Sequence, residues 1–323
     1  MAYARSLRSI DSGIEITYLF HRHSRFNSLG IGIDFIALGV KLISVCGQEE
    51  VICLSKGYDL VYYVTSDSPG SFSWLQEMAC RTLLHQVGYQ QPDYNSATYF
   101  AYTSYWQSLY FTGGTSTTIP YIIEDPVNQI SKDEAREELG IPREAIVLGR
   151  HGGSDTWNLP FASKVVTEVA KSRRDLFFIF CGTPPFCSEE NIRFFPGTHK
   201  YAFLESFIGS ADAMLHARWE GETFGMACAE FLIRQKPIIT WGESRERNHI
   251  LLADRSAIFF NTPADLTSTL LHLDRQYILH KSGLVPVDHL HNHYSSSKIG
   301  TMMHGLLVDS GSIMAPVEIR DIF

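Results

Sequence analysis

Residues 220–230 read EGETFGMACAE, and within them Glu222 and Glu230 bracket seven residues that carry one glycine and no other charge. Two carboxylates so placed can accept hydrogen bonds from two separate sets of hydroxyls. The segment between them has something to offer an anion. With Thr223 as N-cap, a helix begins near Phe224, and the amides of Phe224, Gly225 and Met226 are donors without a partner inside that helix. Gly225 permits close approach, and the positive end of the helix dipole favours a phosphate there. A helix running through the whole span sets the carboxylates roughly 12 Å apart along its axis.

That separation matches a sugar, a diphosphate and part of a ribose laid end to end. On this reading Glu222 meets sugar hydroxyls, the helix end holds the diphosphate, and Glu230 accepts from the ribose diol. The competing reading buries Glu230 in an ion pair with Arg234, Arg218 or Arg245, because an unpaired buried carboxylate costs several kcal/mol.

The elements that must position these residues are legible upstream. In SKDEAREELGIP, Ser131 can cap a helix, Glu134 completes a capping box, Gly140 follows the last turn and Pro142 stops continuation. EAIVLGR then reads as a strand ending in Gly149 and Arg150, HGGSDTWNLPF as a loop, ASKVVTEVAKS as a helix and DLFFIFCG as a second strand, which is a βαβ unit. KYAFLESFIGSA (helix), AMLHARW and KPIITWG (strands), and SAIFFN leading to the helix ADLTSTLLHL continue the alternation.

EGETFGMACAEFLIRQKPIIT resembles the E-x7-E motif of the retaining nucleotide-sugar glycosyltransferases with the two-Rossmann (GT-B) fold, the group 1 or family 4-like type. SKDEAREELGIPREAIVLGRHGG resembles their entry to the second domain, a capped helix and a strand leading to a "GR" loop. The likeness covers residues 118–270 well and the first 117 loosely. It implies that Arg150 contacts the diphosphate, that Gly152 and Gly153 let the loop close on it, that Glu222 acts at the transferred sugar, and that Glu230 binds the ribose. The family's Lys-Gly pair after "GR" is replaced here by SDTWN, so a second phosphate-binding cation is supplied by Arg218, Arg245 or Arg247, or is absent. The resemblance also implies a first-domain histidine near the donor sugar. His85, in TLLHQVGY, is the candidate, beside its reading as an ordinary core histidine.

The first third carries strand-like runs near 14–20, 40–46, 58–64 and 97–104, and FSWLQEMACRTLLHQVG reads as a helix ended by Gly88. GIGID at 30–34 is an incomplete G-x-G-x-x-G and reads as a loop, not as an NAD fingerprint. The aromatics of YFAYTSYWQSLYF can stack on sugar rings or fill a core. The Gly, Thr and Pro-rich 112–126 separates an acceptor-side domain, 1–125, from a donor domain, 126–323. HNHYSSSKIGTMMHGLL reads as a serine-capped helix that can cross back to the first domain, with His289, His291 and His293 in a loop before it. The expected fold is α/β, two doubly wound domains facing across a cleft.

A chain of 323 residues is long enough for two domains. Its net charge of -8 argues against a general nucleic-acid surface. No apolar run approaches the roughly 18 residues of a membrane span, and MAYARSLRSI lacks a signal-peptide core, so the chain reads as cytoplasmic. Six cysteines lack C-x-x-C spacing and read as reduced core residues, His21 and His23 have no third ligand nearby, and there is no D-x-D, so no metal site is expected. The expected enzyme is a metal-independent, retaining hexosyl- or pentosyltransferase, with no permanently bound cofactor. It takes sugar from a UDP- or GDP-linked donor and gives it to a hydroxyl of a glycan, glycoprotein or glycolipid. The alternatives are a nucleotide-sugar epimerase on the same fold and a non-catalytic nucleotide-sugar or glycan-binding protein.

Overall fold

The β-branched runs of the first third pair as parallel strands in the computed structural model, which describes residues 1–24, 27–127, 130–198 and 200–308. Helix α1 (Ala2–Ile10) precedes β1 (Thr17–His21), α2 (Leu29–Ala37) and β2 (Lys41–Val45), with β1 and β2 in register from Thr17↔Lys41 to His21↔Val45. After α3 (Gln48–Ser55) come β3 (Leu60–Thr65), β4 (Arg81–Gln86) and β5 (Tyr99–Tyr102), a three-stranded parallel sheet with β4 in the middle, and then α4 (Tyr105–Thr112).

Two expectations are corrected here. FSWLQEMACRTLLHQVG is not a helix: Ser73–Glu77 form a short 3-10 helix and Arg81–Gln86 become β4. Leu83, Leu84 and His85 are all buried there, and a short run covered on both faces satisfies a central parallel strand as well as a helix. GIGID is not a loop but the middle of α2.

His85 is therefore a strand residue. The Tyr62 hydroxyl is hydrogen-bonded to its Nδ1 at 2.6 Å, and the rings of Tyr3, Tyr62 and Tyr121 surround it. Burial lowers its pKa to about 3 from 6.5. Because this histidine stays neutral when folded while the unfolded imidazole takes a proton below pH 6.5, stability falls as pH drops from 6.5 toward 3 and is unaffected above that window. The loss is on the order of 1 kcal/mol per pH unit. Urea unfolding of His85→Leu against pH should show a shallower acid slope than the wild type; parallel slopes would exclude His85 as the source.

The second unit, Ile123–Asn292, opens with α5 (Lys132–Glu138), whose capping box forms: Ser131 Oγ accepts from the Glu134 amide at 3.2 Å and Glu134 accepts from the Ser131 amide at 3.1 Å. Then follow β6 (Ile146–His151), α6 (Ala162–Ser172), β7 (Leu176–Cys181), β8 (Ile192–Phe195), α7 (Tyr201–Ser210), β9 (Ala213–His216), β10 (Gly221–Glu222), α8 (Met226–Leu232), β11 (Ile238–Trp241), β12 (Glu246–Arg247), α9 (Asn248–Ala253), β13 (Ile258–Phe260), α10 (Pro263–His272), α11 (Arg275–Ser282) and α12 (Val287–Tyr294). Six strands form one parallel sheet in the order β13-β11-β9-β6-β7-β8. Connections run one way from β6 to β8 and the other way from β9 to β13, so the chain reverses direction between β6 and β9. One face of this sheet packs Leu148, Phe178, Leu215 and Ile239 against Val166 and Val169 of α6 and Leu266 and Leu270 of α10.

A buried charge ties the amino ends of these elements together. Arg136 of α5, 1% exposed, donates to Asp212 at 2.8 Å, and Asp212 also accepts from the Val147 amide at 2.7 Å and from Lys132.

His289, His291 and His293 lie on α12, not in a loop, and His291 Nδ1 stands 2.8 Å from Asp125. Finally α13 (Ser296–Val308) belongs to the first unit, which among the described residues comprises Met1–Ile122 and the stretch from His293 to the end of α13. Ile299, Met302, Met303 and Leu306 pack with Leu7, Leu83 and Ile119. No helix among the described residues is long and apolar enough to cross a membrane.

Candidate functional site

In open parallel sheets, ligands bind beyond the carboxyl ends of strands where strand order reverses. In the second unit those are the ends of β6 and β9, and the sequence puts Arg150 and His151 at one and His216, Ala217 and Arg218 at the other.

Arg150 is buried, not paired at the surface. Its guanidinium donates to Thr183, to the Gly153 carbonyl at 2.8 Å and to Thr156, so it gathers the loop that contains Gly152 and Gly153. Burial lowers its pKa to about 10 against the pull of nearby Glu222, and it remains a cation at neutral pH.

Glu222 sits on the short parallel pair β10–β12. Gly221 before it has φ +82°, and a Cβ there would come within 2.0 Å of the Glu246 carbonyl oxygen, so only glycine lets the pair close. His216 Nε2 lies 3.3 Å from one Glu222 oxygen and Arg218 Nη1 donates to the other at 3.0 Å. Burial pushes the carboxyl pKa up, but those two partners outweigh it and hold Glu222 below its ordinary value. Glu222 is thus an ionised acceptor. Arg218 also reaches Glu220 at 3.5 Å, and its Nε is buried without a hydrogen-bond partner. Of the other arginines considered, Arg245 pairs with Glu246 and Arg247 donates to the Gly242 carbonyl.

The helix start is corrected. Thr223 is not the N-cap and Phe224 is not the first helical residue; the cap is Gly225, in the left-handed region at φ 90° and ψ 56°, and α8 begins at Met226. Phe224 is instead a buried anchor whose carbonyl accepts from Asn248 at 2.8 Å. The reason is close packing: a Cβ at position 225 would lie 3.0 Å from His249 Cβ and 3.2 Å from Glu222 Cβ. With Thr223 to Gly225 outside the helix, the 12 Å axial estimate, which assumed a helical span, no longer applies.

Glu230 does pair, though with none of the arginines considered. His151 Nε2 approaches its carboxylate to 2.9 Å, close but outside hydrogen-bond alignment, and the His151 ring stacks on Phe231. Arg234 pairs with Glu205 and touches Glu230 only through the Glu230 backbone carbonyl. Arg150, Gly152, Gly153, Arg218, Glu222, Thr223 to Met226 and Glu230 all belong to the second unit, whereas His85 belongs to the first. Sequence reasoning missed His151 and His216. Their signal was available: a histidine closing a buried parallel strand needs a polar partner. Among the described residues no group of three or more His, Cys, Asp or Glu is arranged to hold a metal.

Searches of protein-family profiles and of curated proteins return no match. Solved structures do match. A glycosyltransferase from Rickettsia africae ESF-5 superimposes with a TM-score of 0.68 at 12% identity, over 96% of this chain and 95% of that one. HepE from Anabaena, solved with UDP and glucose, gives 0.67 at 11% identity over 91% and 99%. Sucrose-phosphate synthase from Thermosynechococcus elongatus gives 0.63 at 11% over 94% and 90%. The chain has the α/β, Rossmann-like fold of the GT-B glycosyltransferases.

Proposed function

From that shared fold as premise, we propose that the chain is a retaining glycosyltransferase that moves a sugar from a nucleoside diphosphate to an acceptor hydroxyl on a glycan, glycoprotein or glycolipid. The observation that carries the reading is the gathering of Arg150, Glu222, and the Glu230–His151 pair beyond β6 and β9 in one unit. UDP is the first nucleotide to test, since HepE of the same fold is solved with UDP-glucose.

Glu230 is assigned to the ribose diol, for which a carboxylate is the natural acceptor. Glu222, held from behind on both oxygens, accepts from hydroxyls of the transferred sugar. Arg150 and Arg218 supply the positive charge that meets the leaving diphosphate, which is electrostatic stabilisation by groups already in place, without a metal. His85 is assigned no step beyond a neutral imidazole in the first unit.

Glu230→Ala should weaken nucleoside diphosphate binding by about 1–3 kcal/mol with the fold intact. A thermal-shift panel of UDP, GDP, ADP, their sugar conjugates and NAD tests this on wild type and variant, since ligand at about 100 times its Kd stabilises by roughly 2.7 kcal/mol. One nucleoside diphosphate raising the wild-type midpoint and not the variant's supports both assignments; a response to NAD alone would sink the glycosyltransferase reading.

A further inference from the structure

Behind Glu222 runs a polar chain that the proposed transfer chemistry does not use. His216 Nδ1 is 2.9 Å from Thr240 Oγ1, and Thr240 Oγ1 is 3.0 Å from His249 Nε2. His216 closes β9, Thr240 faces it in register on β11, and His249 comes from α9. All three are buried, and the two imidazoles lie 4.6 Å apart. Gly225 gives α9 the room to bring His249 this close.

The protons in this chain can be assigned by counting donors. Burial, reinforced by the neighbouring His216 and then by Arg247 and Arg218, keeps His249 neutral, so it has one N–H. Its Nδ1 is buried without a partner. A proton there would be an unsatisfied buried donor, costing about 1–3 kcal/mol, whereas a lone pair there costs less. The proton therefore belongs on Nε2, donating to Thr240. The Thr240 hydroxyl then donates to His216 Nδ1, which leaves the His216 proton on Nε2, facing Glu222.

We infer that His249 and Thr240 lock His216 as its Nε2–H tautomer, and that His216 is thereby a positioning residue that holds Glu222 in one orientation as a hydrogen-bond acceptor. The kinetic consequence rests on the assignment of Glu222 to the sugar; the tautomer does not.

The deciding measurement is a long-range proton–nitrogen spectrum of histidine-labelled protein at pH 7, which needs no substrate. Both His216 and His249 should carry a proton on Nε2 and none on Nδ1. A proton on Nδ1 of either ring overturns the lock. Thr240→Val, which keeps shape and removes the hydroxyl, should convert His216 to a tautomer mixture; an unchanged His216 signal also overturns it. With UDP-glucose as donor, His216→Leu should lose more than about tenfold in kcat/KM while UDP affinity holds, and His216→Gln, whose amide can replace the Nε2–H, should recover most of it. Equal rates for all three would remove the positioning role. A wild type inert toward UDP-glucose counts against the proposed donor, while the spectra still decide the lock.

Discussion

Glu222→Gln is expected to slow sugar transfer by at least about 10²-fold and to leave affinity for free nucleoside diphosphate within about twofold of wild type. The substitution keeps the shape and replaces one acceptor oxygen by an amide donor. His216 and Arg218 each approach a different carboxylate oxygen, so whichever side the new amide takes, a donor meets a donor. The side chain then turns, or Arg218 loses its strongest partner. At the sugar, a charged acceptor becomes a neutral one, and hydrogen bonds to charged groups are worth about 1.5–3 kcal/mol. Two such contacts account for the rate loss. Stability should fall by only about 1–3 kcal/mol, because Glu222 and Arg218 are both partly exposed and water screens the pair. Initial rates and titration calorimetry with UDP check the two halves separately; equal losses in both would contradict placing Glu222 at the sugar.

Asp212→Ala should cost about 3–5 kcal/mol, the range for leaving a buried charge without its partner. Arg136 would keep only the carbonyls of Ser210 and Arg143, which cannot neutralise a guanidinium that is almost wholly enclosed. The Val147 amide would lose its acceptor as well. For a unit of this size the loss corresponds to a drop in Tm on the order of 10 °C. Adding Arg136→Met should restore part of it, because the double variant no longer buries a guanidinium without its carboxylate. Additive losses in the double variant would show that the ion pair is not the source.

The second unit was largely legible in the sequence because its signals are local. The Ser131 capping box and the apolar run that became β6 each depend on residues within a few positions of one another. What escaped depends on parts of the chain that meet only after folding. Gly225 caps α8 because His249, twenty-four residues on, presses against it. Glu230 found His151 rather than an arginine because the end of β6 lies beside α8. β4 looked helical because the partners that make it a central strand are β3 and β5, and neither is visible from its own residues.

The first unit is built from two stretches of chain, with α13 laid on α1, while the second is one continuous stretch. Between Ile10, where α1 ends, and Ser296, where α13 begins, 285 residues intervene. At roughly 5–20 residues per second, a ribosome takes on the order of 15–60 s to supply α1 with its partner. The second unit has every residue it needs before then. The part translated first therefore waits longest for its partner, with Leu7 uncovered until α13 is made. Chaperones that bind exposed apolar helices have their longest opportunity at the start of this chain, and a stop codon shortly before residue 296 would damage the half of the molecule translated earliest.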